Sequence, residues 1–182
     1  MRIVAGAQRG RVLVAPKGHS TRPTADRTRQ ALFNVLEHAP WGRPVVGARV
    51  IDLFAGSGAL GVEALSRGAS YCLFVENDRA AAEAITANLA ALGLTERTRI
   101  LAADATRLPL LSDDPFDLAF LDPPYSLGVA EAALPALTAH LSPAALIAVE
   151  RGADEGMLSA NGYELLDERR WGAAKVAFLK RI

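Results

Sequence analysis

The segment Val50-Ile51-Asp52-Leu53-Phe54-Ala55-Gly56-Ser57-Gly58-Ala59-Leu60-Gly61 constrains this chain more than any other. An apolar run, a cluster of glycines and then helix-forming residues read as a buried strand entering a glycine turn and a helix over 59–66, with Gly68 as its terminator. The pattern then repeats: strands are expected over 49–54, 71–75, 98–101, 117–121 and 144–150, and helices over 78–92, ending at Gly93, and over 129–140. Such alternation argues for a parallel sheet covered by helices on both faces. Segments 163–170 and 173–180, joined across Trp171-Gly172, read as a closing hairpin. Ahead of the repeat, residues 3–5 and 11–15 read as a hairpin around Gln8-Arg9-Gly10. Thr24 is placed to cap a helix running to about Glu37, whose apolar face is Leu32, Phe33, Val35 and Leu36. Residues 40–47 form a short linker.

In an open α/β sheet, ligands collect at the carboxyl ends of the strands. Four acids fall there: Asp52, Glu76, Asp104 and Asp122. Gly56, Gly58 and Gly61 also satisfy the dinucleotide fingerprint, so the loop alone admits NAD. Asp52, four residues before the first glycine, is placed to receive a methionine-like ammonium directly or through water. Glu76, 18 residues after Gly58, is placed to accept both hydroxyls of a ribose, a role either cofactor needs. Each acid also has a plainer reading: Glu76 and Asp104 can cap the turns that follow them.

The tetrapeptide Asp122-Pro123-Pro124-Tyr125, after the apolar run Leu118-Ala119-Phe120-Leu121, narrows the chemistry. An exocyclic amino group on a purine is a poor nucleophile, because its lone pair is delocalised into the ring. Two acceptors can draw that pair out of conjugation, the Asp122 carboxylate on one N–H and the Pro123 carbonyl on the other. Consecutive prolines fix φ and cannot donate, so this carbonyl is held rigid. Tyr125 offers a face on which a base can stack. The competing reading is a proline turn at a strand end, with Asp122 as a cap and Tyr125 as packing. A nicotinamide enzyme has no evident use for the tetrad.

Composition sets the bounds. At 182 residues, 51% apolar and 22% charged, the chain is long enough for a well-cored domain and is not of a disordered class. Its net charge is zero, but the charge is segregated. Residues 1–29 carry seven basic side chains (Arg2, Arg9, Arg11, Lys17, Arg22, Arg27, Arg29) against Asp26 alone, a charge of +6; the remaining 13 basic and 19 acidic residues carry −6. A basic arm of this kind is an electrostatic footprint for phosphates, unless it is simply solvated. The single cysteine, Cys72, reads as a small core residue, and His19, His38 and His140 are too scattered for a metal site. No apolar run approaches the length of a membrane span and no signal-peptide core is present, so a cytoplasmic location is expected.

On these residues the chain resembles class I S-adenosylmethionine-dependent methyltransferases, and within them the RsmD-type family that methylates the exocyclic N2 of a guanine in bacterial small-subunit ribosomal RNA. The resemblance is carried by Met1-Arg2-Ile3-Val4-Ala5-Gly6 with Gly10-Arg11, by Arg22-Pro23-Thr24-Ala25-Asp26-Arg27-Thr28-Arg29 with Ala31-Leu32-Phe33-Asn34, and by the motifs already described. It departs from the family at Gln30 and at Trp171-Gly172-Ala173-Ala174-Lys175. It implies a Rossmann-like, doubly wound α/β sheet of seven mostly parallel strands with an antiparallel last strand, plus an N-terminal β-hairpin and helix. Residues 1–40 would be a basic RNA-binding extension and 41–182 the methyltransferase domain. The catalytic group would be Asp122, Pro123, Pro124 and Tyr125. S-adenosylmethionine, leaving as S-adenosylhomocysteine, would be held by Asp52, Phe54, Gly56, Gly58, Gly61, Glu76, Asn77, Asp104 and Ala105, with no metal. RNA contacts are expected from Arg2, Arg9, Arg11, Arg22, Thr24, Arg27 and Arg29. The implied substrate is 16S rRNA, within a small-subunit assembly particle, and the chain is expected to act as a monomer. An adenine-N6 DNA or RNA methyltransferase is the nearest alternative; a nicotinamide oxidoreductase and a non-catalytic RNA-binding module stand further off.

Overall fold

The computed structural model describes residues 1–16, 23–123, 128–156 and 158–182, with the backbone alone at 23–25. Seven strands, β1 (Arg49–Leu53), β2 (Tyr71–Val75), β3 (Thr98–Leu101), β4 (Phe116–Leu121), β5 (Leu141–Gly152), β6 (Tyr163–Trp171) and β7 (Ala174–Arg181), form one sheet in the order β3-β2-β1-β4-β5-β7-β6. The first five are parallel, and β7 runs antiparallel to both its neighbours. The order reverses between β1 and β4, which opens a crevice beyond their carboxyl ends.

Side-chain alternation sorts the parallel strands onto two cores. Val50, Phe74, Phe120, Ala148 and Phe178 face one side, covered by α1 (Pro23–His38), α2 (Ala59–Ser66) and α3 (Arg79–Leu92). Ile51, Leu53, Val75, Leu121 and Val149 face the other, covered by α4 (Val129–Thr138). The sheet is therefore doubly wound, as the alternation of strand and helix signals requires. Asp78 caps α3 by accepting from Ala81 N–H at 2.8 Å, and Gly93 ends it with φ +66°.

Two expectations shift. Helix α1 starts at Pro23, which has no N–H to leave unpaired in a first turn, so Thr24 lies inside the helix instead of capping it. The N-terminal pairing is shorter than read: Arg2 bridges Val12, with hydrogen bonds from Ile3 N to Arg11 O, Gly10 N to Ile3 O and Leu13 N to Met1 O. Val4 and Ala5 leave that ladder because their N–H groups go to the Glu63 carboxylate on α2, at 2.8 and 3.0 Å. The N-terminal segment also packs on the sheet. Ile3, Leu13, Leu32, Phe33 and Leu36 share a core with Val50, Val62 and Phe120.

Glu63 is the centre of that docking. It is fully buried and pairs with Arg67 at 2.9 Å and Arg29 at 3.4 Å. Gly6 packs against the end of α2 so closely that a Cβ there would lie 1.8 Å from the Ser66 carbonyl oxygen.

Candidate active site

The glycine turn after β1 is held in shape by two acids. Phe54 and Gly56 have φ of +61° and +56°, and Gly58, at the start of α2, has +77°. A bulky residue with positive φ is uncommon and marks a backbone held by its surroundings. Glu76, at the end of β2, accepts from Gly56 N–H at 2.7 Å through Oε2 and from Asp78 N–H at 2.8 Å through Oε1. Each oxygen keeps a further lone pair, so the group fits a vicinal diol while tying the loop to the strand. Asp52 lies beneath the loop: it is 1% exposed, and its Oδ2 accepts from Gly61 N–H at 2.8 Å. Burial pushes its carboxyl well above the usual range, against the lowering effect of the Gly61 bond, and the charges of Asp122 and Glu76 add to the rise. Gly61 is packed tightly against β2. A Cβ on it would stand 2.4 Å from Phe74 Cε1 and 2.6 Å from Cys72 Sγ.

Asp122 is where the sequence placed it. Leu53 and Leu121 are register partners, and Asp122 N–H reaches the Leu53 carbonyl at 3.5 Å, so the residue after β4 sits beside the start of the glycine turn. It opens to solvent on one side, yet the protein around the cleft raises its carboxyl to about 6 through burial. Pro123 is buried behind it. Pro124 and Tyr125 lie outside the described residues. By strand parity Asp52, Glu76 and Asp122 all project from the face that carries Phe74 and Phe120. A further acid that sequence reasoning missed shares it: Glu150 on β5, half-buried and raised to about 8 by burial and by the charge of Asp122. Its signal was the one that revealed Glu76, an acid directly after an apolar run.

Asp104 is exposed and caps the 3-10 turn Ala105–Arg107, accepting from Thr106 N–H at 2.9 Å and Thr106 Oγ1 at 2.7 Å. Those bonds lower its pKa, and both fall on Oδ1. Ala105 is buried under the second core, and Asn77 is exposed at the mouth of the cleft. Among the described residues no group of His, Cys, Asp or Glu is arranged to hold a metal ion, and no helix is long and apolar enough to cross a membrane.

The basic arm divides. Arg9 and Arg27 are exposed; Arg2 and Arg11 are exposed but lean on the fold, through Gly10 O at 3.0 Å and Ala91 O at 2.9 Å. Arg29, also expected to meet RNA, is turned into the fold. It is 5% exposed and spent on Glu63, Asp26 and the Arg2 carbonyl. Arg22, with Lys17, and the side chain of Thr24 lie outside the described residues. A second residue missed in the sequence is Asn88 on α3. Its amide accepts from Val14 N–H at 2.8 Å and donates to Val14 O at 3.0 Å and Ser57 O at 3.1 Å, joining the arm to the glycine turn.

Comparison with known proteins adds to this geometry. A family model described as Conserved hypothetical protein 95 matches residues 1–180. The chain is similar to Ribosomal RNA small subunit methyltransferase D of Escherichia coli, 39% identical over 160 residues, which cover 86% of this chain and 77% of the relative. It is similar to the protein of the same name from Haemophilus influenzae, 36% identical over 179 residues, 94% of this chain and 89% of the relative. The solved structure of yhhF from Escherichia coli superposes with a TM-score of 0.83 at 34% identity, covering all of this chain and 97% of that one.

Proposed function

Because the chain belongs to the RsmD-type methyltransferase family, whose model spans residues 1–180, we propose that it transfers a methyl group from S-adenosylmethionine to the exocyclic N2 of a guanine in small-subunit ribosomal RNA. The observation that carries this reading is the position of Asp122 and Pro123, beside the glycine turn at the point where the strand order reverses.

The residues present fit the cofactor. Glu76 suits the ribose hydroxyls, Asn77 and the Asp104-Ala105 turn suit the adenine end, and the turn at Phe54, Gly56 and Gly58 gives backbone room for the remainder. When bound, S-adenosylmethionine supplies an electrophilic methyl on a sulfonium. Asp122, ionised above about 6, accepts one N–H of the base amino group, and the Pro123 carbonyl accepts the other. Holding both hydrogens out of the ring plane frees the nitrogen lone pair and orients it. As the new N–C bond forms, the nitrogen must lose a proton, and the Asp122 carboxylate is in place to take it. The sequence-assigned Tyr125 would offer a stacking face to a base turned out of its helix. Arg9 and Arg27, with the sequence-assigned Arg22, supply phosphate contacts. The RNA substrate also argues for the cytoplasm.

The test is direct. Small-subunit RNA, free and in particles, from cells lacking this protein is incubated with it and labelled S-adenosylmethionine, then digested to nucleosides for mass spectrometry. N2-methylguanosine is expected. N6-methyladenosine would transfer the reading to the adenine alternative, and no methylated nucleoside in either form of the RNA would overturn it.

A further inference from the structure

Glu150 takes no part in the chemistry above, yet it stands beside the residue that does. The parallel register pairs Leu121 with Val149, so the residues that follow, Asp122 and Glu150, are neighbours across the sheet at about 4.8 Å. Leu121 and Val149 belong to the core under α4, which turns Asp122 and Glu150 together to the opposite face. From β7, Glu150 meets Val176, an apolar residue of that face. Among the described residues, the charged groups sharing the face at the strand ends are Asp122 from β4, Asp52 from β1 and Glu76 from β2, all acids. On α1, the buried cation Arg29 is spent on Glu63 and Asp26.

We propose that Glu150 reads the base: its carboxyl pairs with the N1–H and O6 edge of guanine while Asp122 holds the neighbouring 2-amino group. The inference rests on the methyl-transfer reading and deepens it by naming what recognises the acceptor. A protonated carboxyl presents a carbonyl acceptor and an O–H donor side by side, the complement of an edge that offers a donor at N1 and an acceptor at O6. An ionised one offers only acceptors and repels O6. Burial and the Asp122 charge keep Glu150 protonated up to about 8, so the two carboxyls hold one proton between them at neutral pH. With Asp122 ionised, the pair presents acceptor, acceptor and donor to guanine's donor, donor and acceptor.

The experiment titrates guanosine and 2-aminopurine riboside calorimetrically into the full chain loaded with S-adenosylhomocysteine. 2-Aminopurine keeps the 2-amino group but has no N1–H and no O6, so it forfeits part of the Glu150 pairing. Wild type is expected to prefer guanosine by about tenfold, within the range for one bidentate base pairing. Glu150→Ala should bring the two nucleosides to near-equal affinity, and Glu150→Gln, whose amide carries the same acceptor and donor, should restore the preference. Guanosine binding to wild type should also weaken as pH rises through about 8, more steeply than in Glu150→Gln, since ionisation of guanosine itself is common to both. Equal binding of the two nucleosides to wild type, an undiminished preference in Glu150→Ala, or a Gln variant that behaves like Ala would each overturn the proposal. RNA methylation by wild type, assayed in parallel, separates these outcomes from failure of the methyl-transfer reading, because the nucleoside preference is read without turnover.

Discussion

A carboxylate can draw hydrogen bonds from an amino group only while it is ionised, and Asp122 gives up its proton at about 6. Methyl transfer should therefore fall about tenfold per pH unit below that value, measured as single-turnover rate with saturating cofactor. Asp122→Ala should abolish turnover while S-adenosylhomocysteine affinity stays within about tenfold, because the group removed is one that meets the acceptor base. Glu150 makes the matching stability statement. Its carboxyl rises from 4.5 to about 8 on folding, so between those values the unfolded chain releases a proton that the folded chain keeps, and stability declines as pH rises. Glu150→Gln should raise the melting temperature at pH 8 and leave it nearly unchanged at pH 4, where both states are protonated. Glu76 and Asp122 each follow an apolar run at a strand end, which makes their positions legible in the sequence. The position of Asp52 is legible but its burial is not, since a strand-end position does not tell whether a carboxylate faces out or lies beneath the loop.

At the level of elements, the packing that matters is that of the N-terminal arm on α2. Glu63→Ala would leave Arg29 and Arg67 partly unpaired in the interior and free the Val4 and Ala5 N–H groups. Such a break costs about 3 to 5 kcal/mol, which for a domain of this size lowers the melting temperature by roughly 10 °C, checked by thermal denaturation. The strands and helices were legible nearly to their ends, because period and glycine punctuation agree along most of the chain. The exception is informative. Strand β5 begins at Leu141, not at 144, because Phe116 pairs with Leu141 while Leu118 pairs with Leu146, and the surplus residues around Pro143 bulge between them. A proline in a bulge is permitted in a sheet but reads from sequence as a turn. The pairing of Arg29 is hidden for a related reason: a charge count cannot tell that an arginine on α1 faces a buried glutamate contributed by α2.

Over the whole molecule, zero net charge conceals a basic end set against an acidic remainder. Association with RNA should be steeply salt-dependent, and reversing Arg9 and Arg27 together should flatten the slope of log affinity against log salt by about 1 for each phosphate no longer neutralised, read from filter binding between low and physiological salt. An unchanged slope would move the RNA surface away from the arm. The sheet has its own consequence for how such a molecule comes into being. Of the seven strands, β7 is the latest to be synthesised, yet it is wedged between β5 and β6 and, among the described residues, is the strand on which β6 depends for its pairing. Until it emerges, β5 ends in a bare edge and β6 has nowhere to dock, so a nascent chain halted before Ala174 carries an unzipped sheet. The sheet of this enzyme is closed by the strand that fills the gap between β5 and β6.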